Sequence, residues 1–284
     1  MALVQVDFFS EKLMRTVTIN AIIPVDKKLN QPNKKFKTLY LLHGIFGNYT
    51  DWVCGTRIQR WAQDHDLAVI MPSGENKFYV DNENSHEYYS QFIGEELVSI
   101  TRAMFPLSQR RKDTFIAGLS MGGYGAIING LKYYQTFGYI AALSSALLID
   151  TFINAKDGDD VPYMYKRSYL TSVFGDLHKL KGSDKDYKAL IQNMAIKDVP
   201  AIYMACGTDD SLIKENRDYR DFLLQQGINV TYEEGPGAHE WDFWDRYIER
   251  VLEWLPLDEK NEGLSSGHIA VSYTHLTLPT NSRV

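Results

Sequence analysis

Apolar, β-rich runs punctuate the chain at Arg15 to Ile23, Thr38 to Leu42, Leu67 to Met71, Thr114 to Ala117, Tyr139 to Leu143, Ala201 to Ala205 and Asn229 to Glu233. Between most of them lie helical patterns, over Asp51 to Asp64, Ser90 to Phe105, Met121 to Phe137, Ser211 to Gln226 and Glu240 to Leu255. Strands that alternate with helices need crossover connections, so the pattern predicts an α/β fold with a mostly parallel central sheet covered on both faces. Thr38-Leu39-Tyr40-Leu41-Leu42 has no polar side, as suits a strand buried from above and below. The first two runs precede any helix and are expected to pair as an antiparallel hairpin at one edge.

Two stretches break the rhythm. Residues 150–197 carry the charged loop Asp157-Gly158-Asp159-Asp160, aromatic residues around Tyr163 to Tyr169 and the polar segment Lys181 to Asp186. They read either as a lid-like insertion or as a plain surface excursion. The tail at 259–284 shows no periodicity, and its last part, Val271 to Thr280, resembles translated sequencing-adaptor sequence. We therefore expect one domain over 1–258 and exclude the tail, with His268 and His275, from the fold argument.

At 284 residues and 44% hydrophobic composition the chain can bury a large core. A net charge of −6 without any basic run argues against nucleic acid as a partner. The N-terminus lacks a basic segment followed by an apolar one, and nowhere do eighteen apolar residues run together, so the expectation is a cytoplasmic protein without a membrane span. Cys54 and Cys206 are far apart, which suits a reduced compartment, with each expected to be a small buried hydrophobe. Asp81, Asn82, Glu83 and Asn84 fit no EF-hand spacing, so no metal is expected. With no dinucleotide fingerprint either, no cofactor is expected. A homo-oligomer is compatible with the sequence.

The candidate chemistry begins at Gly118-Leu119-Ser120-Met121-Gly122, set between the short apolar strand at Thr114 and a small-residue helix. A GxSxG turn in that context lifts a serine hydroxyl out of the backbone, and the glycines allow the tight turn and the close packing of the helix beneath it. Ser120 is the candidate nucleophile. A serine hydroxyl needs a base within reach, itself oriented by a carboxylate, and in this arrangement the chain order is Ser, acid, His. Downstream within the domain stand His178, in the polar insertion, and His239, in the loop Gly235-Pro236-Gly237-Ala238-His239 between the last strand and the last helix. Loops at the carboxyl ends of parallel strands are where such sheets assemble sites, which selects His239. The acid should follow the strand at Ala201, where Asp209 and Asp210 stand side by side; physics alone does not choose between them. One oxyanion donor should be the backbone N–H of Met121, and the other should come from the loop His43 to Gly47. His43 itself reads as a structural histidine beneath that loop. Aromatic residues near these loops (Trp52, Phe78, Tyr79, Tyr88, Tyr89, Trp241, Trp244) are at least as consistent with packing as with a pocket, and Trp244, on the same helical face as Trp241, reads as core.

The segments LLHGIFGNYTDW, AGLSMGGYGA, ACGTDD and YEEGPGAHEWDFWDRYI together resemble the α/β-hydrolase esterase family of tributyrin esterase, esterase D (S-formylglutathione hydrolase) and the feruloyl and acetylxylan esterases, over roughly Val4 to Leu257. The resemblance implies that fold, the acid at Asp210 as the end of a Gly-Thr-x-Asp pattern, and the second oxyanion donor at Ile45, with Phe46 as the alternative. It implies a serine carboxylesterase that hydrolyses short acyl (acetyl to butyryl) or aryl esters through an acyl-enzyme, with a small-molecule ester as its partner. The alternatives are an S-formylglutathione hydrolase or a feruloyl esterase. A non-catalytic binding protein on the same scaffold would need a broken site, and all three side-chain types are present.

Overall fold

The computed structural model describes residues 1–25 and 33–257; the expectation for the tail at 259–284 lies outside them. The strands, in chain order, are β1 (Ala2–Ser10), β2 (Arg15–Ile23), β3 (Thr38–Leu42), β4 (Ala68–Pro72), β5 (Asp81–Asn82), β6 (Glu87–Tyr88), β7 (Thr114–Leu119), β8 (Tyr139–Leu143), β9 (Ala201–Gly207) and β10 (Val230–Gly235). Eight form one sheet in the order β1-β2-β4-β3-β7-β8-β9-β10, and β5 with β6 makes a separate two-residue ladder. β4, β3, β7, β8, β9 and β10 run parallel to their neighbours in that series, while β1 with β2 and β2 with β4 are antiparallel. The fold is the expected α/β-hydrolase sheet.

The edge hairpin exists, but its strands are not the expected pair. β2 pairs with β1, whose residues Ala2 to Ser10 the periodicity had not marked as a strand, while Thr38–Leu42 lies inside the sheet between β4 and β7. β1 escaped notice because its outward positions include Leu3 and Phe9, 44% and 62% exposed, which blur the in-out alternation. The expected helix over Asp51 to Asp64 is also two helices, Asp51–Gly55 and Ile58–Asp64. Thr56 breaks it: its hydroxyl donates to Trp52 O and accepts the Ile58 N–H, stopping one helix and starting the next.

Alternation along the inner strands sorts the core into two layers. Tyr40, Leu42, Ile70, Ile116, Ile140 and Met204 face the helix Met121–Lys132, whereas Leu39, Leu41, Val69, Phe115, Tyr203 and Ala205 face the helix Trp241–Trp254. The latter helix buries Phe243, Trp244, Tyr247, Ile248, Val251 and Leu252, the spacing of a single apolar stripe. Residues 150–197 fold into short helices that bury Leu170, Val173, Phe174, Leu177 and Tyr187 in the first of these layers. Tyr124, on the helix after Ser120, donates to Lys185 O, and Asn82 donates to Ser172 O, so the segment is stitched to the main body.

Residues Gly118 and Gly122 set how closely the helix Met121–Lys132 can approach the sheet. A Cβ on Gly122 would stand 2.4 Å from Leu42 O and 2.5 Å from His43 O, and one on Gly118 would stand 2.3 Å from Gly122 O. Alanine at 122 would gain about 1 kcal/mol in helix propensity, but a clash with backbone oxygens cannot be relieved by a rotamer change. Gly122→Ala is therefore expected to destabilise the fold by about 3 kcal/mol, read as a lower urea midpoint. An unchanged or raised midpoint would show that this close approach does not constrain the fold.

Candidate active site

Ser120 occupies the turn between β7 and the helix Met121–Lys132 with φ +54° and ψ −117°, a conformation that non-glycine residues rarely adopt. The turn is held from both sides: Ser120 N–H donates to Leu143 O at 2.8 Å, and Ser120 O accepts from Tyr124 N and Ala146 N. Ser120 remains 7% exposed, enough to present its hydroxyl at the carboxyl end of the sheet.

The loops after β9 and β10 carry Asp210 and His239. They are bolted together by Thr208 N–H to Gly235 O at 2.9 Å and Asp209 N–H to Gly237 O at 3.0 Å. Their backbones touch so closely that a Cβ on Gly207 would meet Gly237 O at 2.2 Å. Across this junction His239 Nδ1 lies 2.9 Å from Asp210 Oδ2, and His239 Nε2 lies 2.9 Å from Ser120 Oγ. A carboxylate only accepts, so Nδ1 carries the proton and Nε2 is free to accept from the serine hydroxyl. The three predicted side chains thus form one relay. Of the two adjacent aspartates it is Asp210, with a fully buried side chain, that meets the imidazole; Asp209 is exposed. Burial alone would raise the Asp210 carboxyl, but hydrogen bonds from His239, Leu212 N–H and Ser144 hold it below the usual carboxylate range. His178 lies at the surface beside Arg167, away from this relay.

The loop after β3 comes up beside the serine, where a Cβ on Gly44 would stand 3.5 Å from Ser120 Cβ. His43 is buried, accepts Gly74 N–H at Nε2 (2.8 Å) and donates from Nδ1 to Gly44 O (2.6 Å). Burial pushes its imidazole below the ordinary value, so it is the neutral form that makes these two bonds. Phe46 N–H donates to Asn76 Oδ1 at 2.7 Å. The N–H groups of Ile45 and of Met121, the first residue of its helix, take part in none of the turn and loop hydrogen bonds among the described residues.

Two participants, Ser144 and Asn76, were not legible beforehand, and a third, Trp244, was read only as core. Ser144, at the carboxyl end of β8, adopts φ +46°, and its Oγ accepts the Trp244 indole N–H at 3.1 Å while acting on Asp210. Trp244 packs edge-on against His239 with ring centroids 5.0 Å apart, so this core residue also walls the site. Asn76 holds the loop after β3. The only available signal for Ser144 was its place at a strand's carboxyl end. Trp52, Phe78, Tyr79 and Tyr89 are buried in the core. Cys206 is buried as expected, but Cys54 is exposed. Among the described residues no cluster of His, Cys, Asp or Glu is arranged to hold a metal ion, and no helix is long and apolar enough to cross a membrane.

The family model for Esterase matches residues 10–255. An acetyl esterase of Caldicellulosiruptor saccharolyticus is 48% identical over 271 residues, covering 90% of this chain and 98% of the relative. An S-formylglutathione hydrolase of Staphylococcus aureus, solved as the apoenzyme, is 30% identical with a TM-score of 0.78, covering 89% of this chain and 98% of its own. The fluorophosphonate-binding serine hydrolase F of the same organism, solved with substrate bound, matches at 30% identity and a TM-score of 0.79 with the same coverage.

Two of these groups tie stability to pH. His43 has a folded pKa below its ordinary 6.5, so the unfolded chain binds the proton first, and stability present above 6.5 is lost as pH falls below it. Asp210, held below its ordinary 3.8, contributes stability that is present above that value and lost as pH falls through its folded pKa. Urea unfolding should therefore show a first decline below 6.5 that shrinks in His43→Gln, and a further decline in acid that shrinks in Asp210→Asn. A His43→Gln variant with the wild-type slope below 6.5 would remove His43 from this account.

Proposed function

The chain belongs to the Esterase family and is a carboxylic ester hydrolase; on that footing we propose that Ser120, His239 and Asp210 are its catalytic triad and that it prefers short acyl groups. The observation that carries the reading is the continuous relay Asp210 Oδ2, His239, Ser120 Oγ, with 2.9 Å at each step. Ser120 Oγ attacks the ester carbonyl as its proton passes to His239 Nε2. The resulting imidazolium is stabilised by Asp210, which also fixes the tautomer. The carbonyl oxygen gains the negative charge and is held by the N–H groups of Met121 and Ile45, each worth about 3 kcal/mol. Collapse of this intermediate expels the alcohol, which takes the proton from His239. Water, activated by the same histidine, then attacks the acyl-enzyme and frees the acid.

The preference for short acyl groups draws on the 48% identity to an acetyl esterase. The likeness to an S-formylglutathione hydrolase supports the second reading, in which the acyl donor is a thioester.

Ser120→Ala should lower kcat by roughly 10⁴ or more with an almost unchanged melting temperature. Asp210→Asn should lower kcat by orders of magnitude because the amide favours the wrong imidazole tautomer, whereas Asp209→Asn should stay near wild type. Near-wild-type turnover in Ser120→Ala would end the nucleophile assignment, and the reverse pattern in the aspartates would move the acid. In a panel of acetyl, butyryl, octanoyl and feruloyl esters with S-formylglutathione, the acetyl and butyryl esters should give the highest kcat/KM. A clear lead for S-formylglutathione would select the second reading.

A further inference from the structure

The loop that supplies Ile45 is pinned at both of its peptide planes. Gly44 O accepts from His43 Nδ1 at 2.6 Å and from Gly47 N–H at 3.3 Å. In a planar trans peptide the N–H points opposite to the carbonyl, so these bonds direct Ile45 N–H away from His43. The next N–H, on Phe46, is taken by Asn76 Oδ1 at 2.7 Å. Phe46 needs this restraint, because it is 56% exposed and has φ +69°. A side chain so placed stays in the left-handed region only if its surroundings hold it there.

Asn76 is in turn held from residues 150–197. Tyr169 Oη donates to Asn76 O at 2.6 Å. The ring of Tyr169 packs on Tyr163 at 5.8 Å, and Tyr163 packs on Phe46 at 5.6 Å. The segment therefore grips the same loop twice, through the side chain of Phe46 and, by way of Asn76, through its N–H.

We propose that Asn76, anchored by Tyr169, is the positioning residue of the oxyanion loop, so that residues 150–197 set the rate of the chemical step. The inference rests on the reading of Ile45 N–H as an oxyanion donor. Removal of an oxyanion donor lowers kcat by about 10²–10³; loosening one while leaving it present should cost less, because the donor still samples the productive position.

The test measures kcat, KM and the inhibition constant of an alkyl trifluoromethyl ketone for Asn76→Ala, Tyr169→Phe and Ile45→Pro. Ser120 Oγ adds to the ketone carbon, its proton passes to His239, and the carbonyl electron pair becomes an oxyanion in the same place as in catalysis. Fluorophosphonate labelling to completion and the melting temperature report an intact, folded site. Asn76→Ala should lower kcat about tenfold or more with KM within about twofold, and weaken the ketone by the same factor. Tyr169→Phe, which keeps both ring contacts, should move the same two quantities in the same direction by a smaller factor; it carries the test alone should Asn76→Ala not fold. Unchanged kcat and ketone affinity, or a raised KM at constant kcat, would overturn the proposal. Ile45→Pro, which deletes the N–H itself, separates the premise: wild-type ketone affinity there would overturn the donor reading and the proposal with it. Loss in Ile45→Pro with none in the other two variants would overturn the proposal alone.

Discussion

A serine held at φ +54° costs about 1–3 kcal/mol relative to relaxed backbone, and the centre of the molecule is arranged so that this turn cannot relax. Its N–H and carbonyl are both consumed by β8 and the residues after it. The helix that follows can lie against β3 only because Gly122 offers no side chain to Leu42 O and His43 O. The strain is local, while the restraint comes from three strands at once. Relaxing the turn would mean parting the middle of the parallel sheet, a far larger loss than the strain it would relieve.

The same logic governs the charge. Asp210 is an anion with no exposed side-chain surface, and it stays ionised because the loop geometry brings it three donors. The junction between the loops after β9 and β10 delivers this: backbone bonds fix where the two loops lie, and the imidazole then spans from the carboxylate to the serine with equal distances on either side. His43 plays a complementary part on the other side of Ser120, where a neutral ring in a dry environment serves as a two-ended peg rather than a base.

Much of this was legible in the chain because it is encoded locally. The two-faced apolar runs announced inner strands, the elbow at Ser120 announced itself by its glycines, and His239 stood in the one suitable loop. What stayed hidden is carried by contacts distant in sequence or by sides of elements that no pattern marks. β1 puts Leu3 and Phe9 on its exposed side, which blurs the alternation carried by Val4 to Phe8 between them. Asp209 and Asp210 differ only in which way the turn points them, and a family resemblance rather than physics separated them. Ser144 and Asn76 are ordinary polar residues whose partners lie 100 and 30 positions away, Trp244 and Phe46 respectively.

Residues 150–197 share a core with the helix that follows Ser120, and their tyrosines close on the loop after β3. In many proteins a segment that connects two strands of the sheet is an exchangeable module, free to vary without disturbing the framework. Here a wholesale exchange would strip the framework of its mortar. Divergence in this segment has a narrower road open to it, through replacements that keep a ring at Tyr163 against Phe46 and a donor at Tyr169 for Asn76 O, so that the masonry is left standing.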